Sequence, residues 1–110
     1  MVASAARDKT IRFWQPTIGR MVRYIRLDSE PLNIAWTNDG DRILATCADG
    51  HLRVIDPIEL TVTQDLHATD GWAYAIAVHP HDESVAIGGI NGQIRRIDNL
   101  FARKTKIETR

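Results

Sequence analysis

Val2-Ala-Ser-Ala-Ala-Arg-Asp8-Lys-Thr-Ile11-Arg12-Phe13-Trp14, Ile43-Leu-Ala-Thr-Cys-Ala-Asp49-Gly-His-Leu52-Arg53-Val54-Ile55 and Val85-Ala-Ile-Gly-Gly-Ile-Asn91-Gly-Gln-Ile94-Arg95-Arg96-Ile97 are three versions of one phrase. Asp8 lies 41 positions before Asp49, and Asp49 lies 42 before Asn91. The match extends upstream in the last two copies, where Leu32-Asn-Ile34-Ala-Trp36-Thr-Asn-Asp39-Gly40 lies 42 positions before Tyr74-Ala-Ile76-Ala-Val78-His-Pro80-His-Asp82. A repeat of this length means units that each leave an apolar face uncovered and must stack on a neighbour.

Each copy reads as strands. Ile34/Trp36 and Ile76/Val78 alternate with small or polar residues, the period of a pleated strand. Asn38-Asp39-Gly40-Asp41 and Pro80-His81-Asp82-Glu83 follow as turns. A small and β-branched run comes next, then Asp49-Gly50 or Asn91-Gly92, dipeptides suited to the positive φ of a tight hairpin. Asp8-Lys9 is the weaker equivalent in the first copy. Beyond the hairpins run residues 10–14, 51–55 and 93–97, in which Arg12, Arg53 and Arg95 share one position. A more polar fourth strand is predicted over 20–27, 60–66 and 102–108. Four strands per unit at this period select an all-β propeller over a sandwich or barrel.

The run Asp-Lys-Thr-Ile-Arg-Phe-Trp ending at Trp14, with Ile55-Asp56 and Ile97-Asp98 keeping the Asp while replacing the Trp, resembles WD40 repeats. The resemblance extends from Val2 to about Glu108, and the phrasing is most similar to divergent bacterial members, some of which carry the propeller beside cytochrome-c-like or other domains. It implies a partial WD40-like β-propeller of about two and three-quarter four-stranded antiparallel blades across residues 1–110. The first blade, 2–27, lacks its inner strand; the second spans about 32–66 and the third about 73–108. Asp8, Asp49 and Asn91 then mark the hairpins, and Trp14, Ile55 and Ile97 the family's Trp position. In that family a buried relay joins the hairpin Asp, a His ahead of the first strand, a Ser or Thr in the second strand, and the Trp. Here Ala6, Cys47 and Gly89 stand at the Ser/Thr position, and no Gly-His pair precedes Leu32 or Tyr74. A smaller, more apolar core is expected in its place, with Trp14 and Trp36 inside it. Propellers close with 4–8 blades, so further blades or self-association are expected to complete the ring.

Composition narrows the function. Lys+Arg and Asp+Glu balance at 14 each, leaving no global field for nucleic acid or an anionic membrane. No apolar run nears the ~20 residues that span a bilayer, and the first residues lack the basic and apolar regions of a signal peptide; a cytoplasmic location is expected. Cys47, the single cysteine, excludes an internal disulfide and reads as a small core residue. His79-Pro-His81, with Asp82 beside it, reads as a solvated turn, since a metal site would need a third ligand and defined geometry. Gly88-Gly89-Ile90-Asn91-Gly92 occupies a hairpin rather than the start of a helix, and no P-loop, nucleophile elbow or dinucleotide fingerprint occurs. No catalysis, cofactor or metal is expected. Arg20, Arg23 and Arg26 with Tyr24, and Arg103, Lys104 and Lys106 at the counterpart position, could contact nucleic acid; a charged outer edge that discourages strand pairing is the favoured reading.

The resemblance implies a loop face, built from the d–a connections and b–c hairpins, that binds partners. Arg7, Asp28, Glu30, Asp70 and Trp72 lie on it, and Trp72 is either an interface anchor or packing between blades. The expected function is a non-catalytic scaffold that binds another protein or peptide. The alternatives are an accessory propeller of a larger redox or hydrolytic enzyme, or a structural or truncated repeat product.

Overall fold

The computed structural model describes residues 1–15, 19–81 and 84–98, and among these the chain is ten β-strands without a helix. They form three antiparallel sheets. The first is β1 (Val2–Ala5), β2 (Thr10–Gln15) and β3 (Arg20–Arg26). The second is β4 (Pro31–Trp36), β5 (Ile43–Cys47), β6 (His51–Asp56) and β7 (Thr61–His67). The third is β8 (Ala73–Val78), β9 (Val85–Gly89) and β10 (Ile94–Ile97). This is the expected partial WD40-like propeller, unclosed. The strand predicted over 102–108, with Arg103, Lys104 and Lys106, and the turn residues Asp82 and Glu83 lie outside the described residues.

The hairpins turn where the repeat places them. Gly50 and Gly92 hold φ of 83° and 80°, and Lys9, their counterpart in the first copy, holds 72°. That left-handed conformation is free for glycine and costs a lysine about 1–2 kcal/mol, the physical content of Asp8-Lys9 being the weaker signal.

Strand parity builds the core. Ile11, Phe13, Ile25 and Leu27 of the first sheet pack against Ile43, Ala45, Cys47 and Ile55 of the second. Leu44, Leu52 and Val54, on the opposite face of the second sheet, pack against Ala73, Val85 and Ile87 of the third. The middle sheet is thus covered on both sides, which is why every residue of β5 is buried. Trp36 packs on the first core, 6.3 Å from the Phe13 ring centre. Ile55 is fully buried and Ile97 packs half-buried on the second core. Trp14 departs from expectation. It shares the face of Thr10 and Arg12, away from Ile11 and Phe13, and is half-buried with its indole N–H donating to Ser4 Oγ at 3.0 Å.

Irregularities repeat as well. One residue is inserted in β3 opposite Phe13/Trp14 and one in β7 opposite Val54/Ile55, leaving Val22 and Thr63 out of register. Leu32 in β4 and Tyr74 in β8 are likewise extra residues against β5 and β9. Such bulges re-aim the inserted side chain.

Candidate partner-binding site

The connection between β7 and β8, residues 68–72, is held from both neighbouring hairpins. On one side the Gly50 carbonyl accepts the backbone N–H groups of Ala68 and Thr69 at 2.8 and 3.0 Å. The approach is so close that a Cβ on Gly50 would collide with the Thr69 carbonyl oxygen. On the other side Asp70 N–H donates to Gln93 Oε1 at 2.9 Å, Ile90 N–H donates to the Trp72 carbonyl at 3.0 Å, and Asn91 Nδ2 donates to the Asp70 carbonyl at 3.4 Å. Thr69, buried beneath the loop, donates its hydroxyl to the Gly71 carbonyl at 3.4 Å. Gly71 turns the chain with φ of 76°.

This scaffold presents Trp72 with 54% of its surface exposed. Trp72, Leu32, Tyr74 and Ile90 line a mostly apolar cleft of about 440 Å³. Tyr74 and Ile90 are themselves about half exposed, at 48% and 49%. Leu32 and Tyr74 reach the cleft because they are the inserted residues of their strands. Asn33 Nδ2 donates to the Tyr74 carbonyl at 3.3 Å and ties the two inner strands together beside it. Of these four residues, sequence reasoning placed Trp72 and the hairpin residue Ile90 on the loop face and singled out Trp72; the bulged pair Leu32 and Tyr74 was missed.

Of the relay positions in the second copy, Cys47 and Ile55 lie fully buried in the first apolar core, as expected, while the hairpin Asp49 is engaged by an ionic cluster. Arg53, its side chain 5% exposed, donates to both Asp49 oxygens at 3.1 and 2.7 Å and lies 3.3 Å from Asp65 Oδ2. A bidentate guanidinium–carboxylate pair satisfies the buried charge that would otherwise be costly. Asp65 also meets His51 Nδ1 at 2.6 Å. Hydrogen bonding to Asp49 pushes Arg53 above its usual range, against the opposing effect of burial. For Asp49, burial raises the carboxyl pKa, but the Arg53 hydrogen bond and the His51 N–H outweigh it and hold the group below the ordinary carboxylate value. In the first copy the equivalent pair Asp8–Arg12 is exposed at 2.7 Å; Asp8 is lowered chiefly by the Thr10 hydroxyl, with Arg12 adding to it. In the third, Asn91 has no charge to offer, and Arg95 donates to the His67 carbonyl at 3.3 Å instead. Cys47 is fully buried, and burial raises its thiol.

Arg7 is exposed in the first hairpin, Asp28 is exposed and Glu30 half-buried in the connection before β4, and Asp70 is exposed beside Trp72. The Ala48 N–H donates to the Glu30 carbonyl at 2.9 Å, which joins this connection to the second hairpin. The arginines of β3 do not all share a face: Arg20, in register with Gln15, lies on the side of Arg23, and Arg26 lies on the other. Arg23 pairs in register with Phe13 and donates to the Pro57 and Ile58 carbonyls at 3.3 and 2.9 Å, whereas Arg26 pairs with Thr10 and donates to the Asp8 carbonyl at 3.0 Å. Both serve as structural tethers. His79 and His81 sit in an exposed turn with ring centres 6.1 Å apart, and no group of three metal-binding side chains forms among the described residues.

Residues 28–56 match the family described as WD domain, G-beta repeat. The chain is 38% identical over 56 residues to WD repeat-containing protein AAC3 of Dictyostelium discoideum, covering 51% of this chain and 12% of that protein. It is 34% identical over 58 residues to Coronin-7 of Rattus norvegicus, covering 52% of this chain and 6% of that protein. It is 30% identical over 56 residues to THO complex subunit 3 of Arabidopsis thaliana, covering 51% of this chain and 18% of that protein. These matches span a small part of each relative, and all three organisms are eukaryotes, so the likeness to bacterial members stays an expectation from the sequence.

Proposed function

We propose that this chain, whose residues 28–56 match the WD40-repeat family, acts as a non-catalytic scaffold that docks a protein or peptide segment on its loop face, with Trp72 as the anchor. One observation carries the reading: a tryptophan left half open to solvent on a loop whose backbone is fixed from two hairpins. Large aromatics dominate interface energetics, and a loop already ordered before binding avoids much of the entropy cost of association. Burial would remove a tryptophan side chain and the flanking Tyr74 and Ile90 from water without rearranging the fold.

The test is selection of a random peptide library on the immobilised chain, followed by affinity measurement on wild type and Trp72→Ala. Anchored peptides lose at least ~30-fold, the factor expected of an interface residue worth about 2 kcal/mol, while the urea midpoint of the variant stays at the wild-type value. Selected peptides that bind both proteins equally, or a library that yields no binder, would refute the proposal.

A further inference from the structure

We infer that the segment docked in the Trp72 cleft is cationic: an apolar side chain flanked by lysine or arginine. This rests on the docking reading above and adds the chemistry of the partner. The three segments that frame the cleft, residues 28–34, 68–75 and 89–93, contain Asp28, Glu30 and Asp70 and no Lys, Arg or His. Such segregation is notable in a chain of net charge zero.

Of the other charges at this end of the fold, those of the two hairpins beside the Trp72 loop are engaged, while Arg7 and Lys9 stay exposed in the first hairpin, which supplies none of the cleft's lining. Asp49 is matched by Arg53, His51 meets Asp65, and Arg95 is turned to the His67 carbonyl. In the first sheet, Asp8 is paired with Arg12. Asp28 and Glu30 take part in no ion pair among the described residues. Asp70 has only an open contact of 3.7 Å with His67, both side chains well over half exposed, which adds little in water. The segments that supply the cleft's four lining residues therefore carry three carboxylates without a close ion pair among the described residues, beside an apolar floor. Positive charge on a partner is attracted to those carboxylates, and the faces of Trp72 and Tyr74 favour a guanidinium or ammonium as well. An acidic or phosphorylated peptide, or a nucleic-acid strand, meets repulsion at the same place.

Three fluorescein-labelled nine-residue peptides, each with a central leucine flanked by arginine, serine or glutamate, separate the possibilities by fluorescence anisotropy. At about 50 mM salt the arginine peptide is expected to bind roughly tenfold tighter than the serine peptide, an advantage that shrinks in ~0.5 M salt as exposed charges are screened. The Asp28→Asn, Glu30→Gln, Asp70→Asn triple variant should abolish the advantage, so that the arginine and serine peptides bind it equally. Its unfolding midpoint, checked alongside, should match wild type, because none of the three carboxylates holds a close ion pair. An advantage that survives the triple variant, or tighter binding of the glutamate peptide or of a labelled single-stranded oligonucleotide, overturns the inference. If all three peptides bind equally and all are lost in Trp72→Ala, the charge inference falls while the docking reading stands. Binding that Trp72→Ala leaves intact, or no binding by any peptide at millimolar concentration, overturns both.

Discussion

Gly50→Ala should be among the most damaging single-methyl changes in this chain, and the reason lies in the loop that presents Trp72. Two costs add. Gly50 sits at φ of 83°, where an alanine pays about 1–2 kcal/mol. The new Cβ would also run into the Thr69 carbonyl oxygen and come within 2.7 Å of the Gly71 carbonyl oxygen. Backbone atoms cannot swing aside as a side-chain tip can, so the 68–72 connection must lift. Lifting it breaks the two hydrogen bonds from Ala68 and Thr69 to the Gly50 carbonyl, each worth about 1 kcal/mol net. The total is about 3–4 kcal/mol, a large share of the 5–15 kcal/mol that a domain holds in reserve. Gly92 supplies the control: its φ is 80°, but nothing lies within 4 Å of a Cβ built there, so Gly92→Ala should cost only the conformational part, about 1–2 kcal/mol. Urea unfolding of both variants measures the difference. Native-state hydrogen exchange locates it, with the Ala68 and Thr69 amides losing protection in Gly50→Ala alone. Equal destabilisation of the two variants, or preserved protection of those amides, would refute the account.

Acid unfolding should depend on Asp49. Its folded-state carboxyl lies below the unfolded value of about 3.9, so its contribution is complete above that pH and is lost as pH falls through the folded value. Asp49→Asn is therefore expected to lower stability at neutral pH and flatten the acid limb of the stability profile; a limb as steep as wild type would contradict this. Phe13 and Trp14, adjacent in sequence, should respond in opposite measure. Phe13→Ala, in the first core with no exposed surface, is expected to cost about 3–5 kcal/mol. Trp14→Phe, which loses the bond to Ser4, should cost about 1 kcal/mol. Thermal denaturation of the pair decides, and a reversed order would mean the faces of β2 are wrongly assigned.

Much of this architecture was legible because the signals were periodic. Asp49-Gly50 and Asn91-Gly92 announce hairpins whose backbone demands are local, and the repeat of 41 to 42 positions carries the pattern from one sheet to the next. What escaped is what depends on partners distant in sequence. The loss of the family's Ser/Thr and His positions suggested an apolar substitute, which Cys47 and Ile55 join, but not that Arg53 would reach back across the hairpin to Asp49 and sideways to Asp65 on β7. The three aligned arginines held that hint, since a cation recurring four positions after a hairpin Asp faces it across the turn. Trp14 was assigned to the core by likeness to a family position, whereas the parity of β2 puts Ile11 and Phe13 there instead.

The cleft shows why a binding site is harder to read than a core. In a strict two-residue period Leu32 would share a face with Ile34 and Trp36, and Tyr74 with Ile76 and Val78, so both would count as core. One inserted residue breaks that phase, because a shift of one position sends a side chain to the opposite side. The insertions fall between Pro31 and Asn33 and between Ala73 and Ala75, at equivalent places in two sheets. Ile34, Trp36, Ile76 and Val78 keep their packing on the two cores, while Leu32 and Tyr74 are released to the cleft with Trp72 and Ile90. The repeat thus gives two adjacent inner strands the same defect, and the apolar surface it frees from each converges on one loop. A recurring large apolar residue at the head of a strand, in phase with the core yet directly after a turn, is the trace such a bulge leaves in sequence.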